Sequence, residues 1–113
     1  MTETLFSKII AREIPADIVY EDELCAAFRD VNPQAPTHIL VVPKQPVPKL
    51  TDAGEDQRDM LGHLLLAANR VAEQEGVADA FRVVINNGEE AGQTVFHLHL
   101  HLLAGRPFSW PPG

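Results

Sequence analysis

In the stretch Thr94-Val95-Phe96-His97-Leu98-His99-Leu100-His101-Leu102-Leu103, three of the chain's five histidines alternate with leucine. Strict alternation is the pattern of a half-buried strand, because successive side chains point to opposite faces and residues two apart line one face. The run therefore predicts a strand over 94–103 that carries His97, His99 and His101 on one face. Leu98, Leu100 and Leu102 form the other face, which needs a helix or a second layer to cover it.

Three imidazoles in a row invite a metal ion, and strand geometry argues against one. At a rise of ~3.3 Å per residue, positions four apart have Cβ atoms roughly 13 Å apart, whereas the Cβ of a zinc-bound histidine lies only about 6 Å from the ion. His97 and His101 do not share an ion on this spacing. A site on His99 and one neighbour would have to draw on Cys25, His38, His63 or carboxylates. Chemistry by one central imidazole fits better, since a neutral histidine is a nucleophile at physiological pH and can form a covalent intermediate. His99 is the natural nucleophile, with His101 facing the same substrate and His97 fixing the orientation from the other side. The plainer alternative is a set of interior histidines that satisfy one another.

Charge narrows the partners. The formal net charge is −7 and the nine basic residues are scattered, which opposes binding to a polymeric nucleic acid. A small anionic ligand stays possible, because backbone N–H groups in turns and at helix starts hold phosphate without net positive charge. A hydrophobic fraction of 45% with 22% charged residues is that of a globular protein, no run approaches a membrane span, and 113 residues fit one domain over 1–113. Met1-Thr2-Glu3-Thr4-Leu5 lacks the basic start and apolar stretch of a signal peptide, so a cytoplasmic location is expected. One cysteine excludes an internal disulfide, and Cys25, in an apolar run, reads as a small buried hydrophobe.

In chain order, Thr4 can cap a short helix over 5–12 that Pro15 stops, with Leu5, Phe6, Ile9 and Ile10 as its apolar face. Core packing and a pocket wall both suit that face. Ile18-Val19-Tyr20 and Leu24-Cys25-Ala26-Ala27-Phe28 read as a hairpin turning at Glu21-Asp22-Glu23, and Asp30 follows the second strand. An aspartate there is either a turn residue or a ligand for two adjacent hydroxyls. His38 opens an apolar strand that Pro43 ends, and Lys44-Gln45-Pro46-Val47-Pro48-Lys49 reads as a surface crossing. Asp52-Ala53-Gly54-Glu55 reads as a capping box that starts a long helix running to Glu75 and closed by Gly76. Met60, Leu61, Leu64, Leu65, Ala68, Val71 and Ala72 form its core stripe, His63 projects roughly opposite as a solvent-facing residue, and Leu66 hints at a second contact. Residues 81–86 make a further strand. The loop 86–94 then brings Asn86, Gly92, Gln93 and Thr94 beside the histidine face, as neutral donors and close-approaching backbone for an oxyanion.

His97-Leu98-His99-Leu100-His101-Leu102-Leu103 matches the histidine-triad signature, and Gly92-Gln93-Thr94 precedes it. Phe6-Ser7-Lys8-Ile9-Ile10, Glu13-Ile14-Pro15, Ala27-Phe28-Arg29-Asp30, Pro33-Gln34-Ala35-Pro36-Thr37-His38 and the closing Trp110-Pro111-Pro112-Gly113 extend the likeness over almost the whole chain. The sequence resembles the histidine-triad nucleotide-binding branch, whose tail separates it from the diadenosine polyphosphate hydrolases.

The resemblance implies an α+β fold of about five antiparallel strands with one long and one short helix. It also implies a purine nucleotide (AMP or GMP and their phosphoramidates) as ligand, with Phe6, Ile9, Phe28 and Leu40 around the base and Asp30 on the ribose. His99 would attack the α-phosphorus, while His101, Asn86, Gln93 and Thr94, with Gly92 and Val95 beside them, would surround the phosphoryl group. His38 would stand behind the triad, and a protonated neighbour would assist a departing amine. No cofactor is implied. A homodimer is expected, pairing through strand 81–86 with Trp110 near the partner's site. Arg29 after Phe28, and Thr94 where serine is common, depart from the usual pattern. The rivals are cleavage of dinucleoside polyphosphates, a nucleotide-binding module without turnover, and a metal-binding protein.

Overall fold

The apolar alternation of the chain is resolved by one antiparallel sheet with different cover on its two faces. The computed structural model describes residues 3–113. Its elements are helix α1 (Leu5–Ile10), strands β1 (Ile18–Glu21), β2 (Cys25–Arg29) and β3 (Thr37–Pro43), helix α2 (Arg58–Gln74), and strands β4 (Phe81–Val84) and β5 (Leu100–Ala104). The strands run in the order β1-β2-β3-β5-β4, every neighbouring pair antiparallel. This is the five-stranded α+β architecture expected from the sequence.

Two apolar clusters follow from the period-two alternation of the strands. On one face, Cys25, Ala27, Ile39, Val41, Leu98, Leu100 and Leu102 pack against Met60, Leu64, Ala67, Ala68, Val71 and Ala72 of α2. On the other, Phe28, Leu40 and Val42 meet Phe6 and Ile9 of α1. The leucines of the alternating run are thus buried under the long helix and its histidines are turned toward the short one. Cys25 is fully buried, and desolvation pushes its thiol up to about 12, as befits a small interior hydrophobe.

Several boundaries differ from the sequence reading. The strand begins at Leu100, not Thr94. Its partner β3 ends in Pro43, whose carbonyl is taken by the His97 ring at 2.7 Å, and the Leu98 N–H turns to Val47 O at 2.6 Å. A side chain and the crossing segment replace the ladder there, while the leucine and histidine sides persist. β4 likewise stops at Val84. α1 ends two residues early, because Arg12 adopts a left-handed backbone (φ 64°) with Glu13 N–H bonded back to Lys8 O.

The long helix starts at Arg58, since Asp52 lies in a separate 3-10 turn (Leu50–Asp52) and Ala53 and Gly54 are extended. The tether responsible is Asn87 Oδ1, which accepts both the N–H and the hydroxyl of Thr51. The buried stripe of α2 is also rotated toward Ala67. Leu65, expected in the core, is 50% exposed, and Leu66 is 59% exposed. His63 moves to the flank, half-buried, where its Nε2 meets Asp22 Oδ2 at 2.7 Å. It is not a solvent-facing residue.

Candidate active site

Four imidazoles meet on the α1 side of the sheet, and their hydrogen bonds assign each ring's proton. A backbone carbonyl only accepts and a backbone N–H only donates, so every bond to the main chain fixes one nitrogen. His38 Nδ1 accepts the Gln34 N–H at 3.0 Å, which leaves the proton of this ring on Nε2. That Nε2–H donates to His101 Nδ1 at 3.0 Å, with Asp30 Oδ2 at 3.5 Å from the same nitrogen. His101 consequently carries its own proton on Nε2. His97 donates from Nε2 to Pro43 O, so its Nδ1 accepts from the Thr4 hydroxyl at 2.7 Å. His99 donates from Nδ1 to the carbonyl of His97 at 2.7 Å, leaving Nε2 as a bare lone pair.

The chain of donors therefore ends in two adjacent and unlike nitrogens. His99 Nε2 offers a lone pair and His101 Nε2 offers an N–H, from rings whose centroids lie 5.0 Å apart. Both rings line a cavity of about 400 Å³. Among the described residues no buried side-chain nitrogen or oxygen lacks a partner, so both free nitrogens open onto that cavity. Chemically, this pair is a lone-pair donor beside a hydrogen-bond donor.

Burial disfavours a charge on all four rings. Desolvation holds His38, His97 and His99 below the ordinary histidine value, against the opposing pull of Asp30 on His38 and His99. Desolvation, with His99 and His38 beside it, brings His101 down to about 4. The same desolvation opposes a second proton on His101, whose Nε2–H is the donor beside His99.

The cavity wall is apolar and matches most of the expected base pocket. Phe6 and Ile9 of α1, Phe28 of β2 and Leu40 of β3 line it, with Asp30, Thr94 and Val95 at its polar end. Phe6 also packs edge-on against His99, ring centroids 4.9 Å apart. Asp30 uses Oδ1 to hold the Asn32 N–H at 2.8 Å, a turn bond that also fixes the carboxylate. Leu5 of α1 and Arg29 of β2 also line it, with Ile14, Pro15, Ala16 and Val31. The sequence reading did not assign these last four to a pocket, because they lie outside helix and strand and no periodicity marks them.

Three expected phosphoryl neighbours, Asn86, Gly92 and Gln93, are not among the residues that line the cavity. Gln93 is buried, its amide nitrogen donating to Pro48 O at 2.8 Å and Val95 O at 3.1 Å while its oxygen accepts the Gly88 N–H. With both amide hydrogens committed to carbonyls, Gln93 clamps the loop and has none to offer a ligand. Gly92 has φ 101°, which favours glycine, and a Cβ there would lie 3.6 Å from Asn86 Nδ2. Thr4 is the converse case: the sequence shows it as a helix cap but not as the partner of His97.

Two groups bring metal-binding residue types together, Asp30 with His38 and His101, and Asp22 with Cys25 and His63. Several of their donor atoms already carry protein hydrogen bonds. Asp22 accepts from the Leu24 and Cys25 N–H groups on Oδ1 and from Tyr20 and His63 on Oδ2, which fills a carboxylate's four acceptor sites. His38 has a partner on each nitrogen and His101 uses Nδ1.

Known proteins resemble this chain in sequence and in fold. A model of the HIT domain matches residues 11–108. An uncharacterised HIT-like protein of Synechocystis sp. is 67% identical over 111 residues, covering 98% of this chain and 97% of the relative. A 14 kDa zinc-binding protein of maize is 54% identical over 112 residues, covering 97% and 88%. Among solved structures, a HIT family hydrolase from Legionella pneumophila superposes with a TM-score of 0.94 at 45% identity, covering 98% of this chain and 100% of its own. One from Clostridium thermocellum gives 0.93 at 44%, covering 96% of each.

Proposed function

The chain belongs to the HIT-domain family, and on that premise we propose that it is a nucleotide hydrolase of the histidine-triad nucleotide-binding branch. It cleaves the P–N bond of purine nucleoside 5′-monophosphoramidates through a nucleotidyl-His99 intermediate. The observation that carries this reading is the fixed tautomer of His99: with Nδ1–H held by the His97 carbonyl, the Nε2 lone pair faces the cavity beside the His101 N–H. Two structural relatives are named as hydrolases, in keeping with this reading.

The base lies among Phe6, Ile9, Phe28 and Leu40, and Asp30 receives the ribose hydroxyls. His99 Nε2 forms a bond to the α-phosphorus as the P–N bond breaks, and the departing nitrogen takes a proton from solvent water and leaves as a neutral amine. His101 Nε2–H and the Thr94 hydroxyl are the neutral donors on the cavity wall, suited to the phosphoryl oxygens. Substitution at Nε2 makes the His99 ring cationic, and the His97 carbonyl and the Asp30 carboxylate favour that charge. Water then attacks the phosphorus and gives up a proton to solvent, the N–P bond breaks with its electrons returning to Nε2, and the nucleoside monophosphate leaves.

The same reading carries a cytoplasmic homodimer. β4 is an edge strand of the sheet, and Arg82 of β4 holds the tail by donating to Ser109 O and Pro112 O. Trp110 is left 84% exposed, available to a partner subunit. The test is product analysis with adenosine 5′-phosphoramidate and diadenosine tetraphosphate side by side. Rapid release of AMP and ammonia from the first, with slow cleavage of the second, is expected. The reverse preference would move the chain to the dinucleoside polyphosphate hydrolases.

A further inference from the structure

We propose that Thr4, the cap of α1, is a positioning residue of the nucleophile, acting through the proton its hydroxyl donates to His97. Only the kinetic consequence rests on the function proposed above. The geometry stands without it.

The direction of this hydrogen bond is forced from both ends. His97 Nε2 faces the Pro43 carbonyl and must bear the ring's proton, so Nδ1 is an acceptor. Thr4 Oγ1 already accepts the Ser7 N–H at 2.9 Å, and its hydrogen is free for His97 Nδ1 at 2.7 Å. The ring is thus pinned between α1 on one side and the end of β3 on the other, fully buried and against Phe6. His97 does not line the cavity. Its contribution passes through its backbone carbonyl, which holds His99 Nδ1–H. The element that supplies Phe6 and Ile9 to the base pocket is therefore also the one that aligns the attacking nitrogen.

A helix cap does not require this bond. Capping needs only an acceptor for the N–H groups of the first turn, and aspartate serves as well as threonine. The donated proton is surplus to the cap and matched to His97. That surplus separates the two roles experimentally, because Thr4→Asp keeps the acceptor and loses the donor, whereas Thr4→Ser keeps both. A carboxylate facing the Nδ1 lone pair calls for a proton between them, and the imidazole, the stronger base of the two, takes it. The other groups around the ring are the neutral Phe6 and Pro43 carbonyl, with His99 as its titratable neighbour.

The experiment is nitrogen NMR of the histidine rings in the intact protein at neutral pH, combined with steady-state kinetics and thermal unfolding. Wild type and Thr4→Ser should show His97 neutral, with its proton on Nε2. Thr4→Asp, unfolding near the wild-type temperature, should show His97 protonated on both nitrogens. Its kcat should fall by roughly 10–100-fold, the usual cost of removing a group that orients a working histidine, at little changed KM, with Thr4→Ser restoring it. A proton on Nδ1 of His97 in wild type, or a Thr4→Asp variant with the wild-type ring state and kcat, would overturn the proposal. If wild type turns over no phosphoramidate, the proposed function fails, while the ring spectra still decide the role of Thr4.

Discussion

His63 and His38 each reach toward an aspartate, at 2.7 Å to Asp22 and 3.5 Å to Asp30, yet the two clusters are wired in opposite senses. Around Asp22 every acceptor is filled: two backbone N–H groups, the Tyr20 hydroxyl and the His63 ring converge on one carboxylate. Burial alone would raise that carboxyl, and these hydrogen bonds together hold it well below the usual carboxylate range. Around Asp30 the chain of donors runs outward through His38 to His101 and stops at an N–H with no partner among the described residues, beside a His99 lone pair that has none among them either. The closed cluster ties the β1–β2 hairpin to α2. The open one is where a ligand can complete the pattern, and similar residue types serve both ends because the unpaired terminus, not the composition, makes a site reactive.

Substitutions should divide along the same line. His99→Ala removes the open end itself, so turnover of adenosine 5′-phosphoramidate should fall by roughly 10⁴-fold or more, the scale of deleting a nucleophile. Circular dichroism should remain that of the wild type. Asp22→Ala should do the reverse, costing about 3 kcal/mol of stability in urea unfolding because four donors lose one acceptor. Its kcat, measured below the unfolding transition, should stay close to wild type. A large loss of kcat in that folded variant would break the contrast.

Smaller changes refine it. His38→Phe leaves His101 Nδ1 without its donor and frees that ring to switch tautomer, so kcat should drop by roughly 10–100-fold. The stability loss should be smaller than for Asp22→Ala. The gentlest probe is pH. His101 binds a proton at 6.5 when unfolded and at about 4 in the fold, so the unfolded chain takes up more protons between those values and stability falls as pH drops through that window. The contribution is fully present above pH 6.5 and gone below about 4. Unfolding free energies measured across this range should decline steadily, and His101→Asn should flatten the decline.

The sequence made the sheet, the helix cap at Thr4 and the two faces of the His-Leu run legible, because each rests on a short-range rule of alternation or capping. It also brought His38, His99 and His101 to one place, through the triad pattern and its flanking matches. What it missed was set by partners distant in the chain. Pro43 and Val47 claim the groups that would have extended β5 to Thr94, Thr51 meets Asn87, and Gln93 turns inward to Pro48. Asp22 likewise draws in His63, which helical periodicity alone sends to solvent. Residue type marked Gln93 as a donor, and only the fold shows that its hydrogens are spent.

The reactivity of His99 is tested most directly by rapidly quenching wild type and His99→Ala during turnover of adenosine 5′-phosphoramidate and weighing the intact chains. An adenylyl group on wild type alone, appearing before AMP accumulates and disappearing as substrate is exhausted, is the expected result. AMP formation with no adduct at any quench time, or an adduct that persists in His99→Ala, would contradict covalent catalysis by this imidazole.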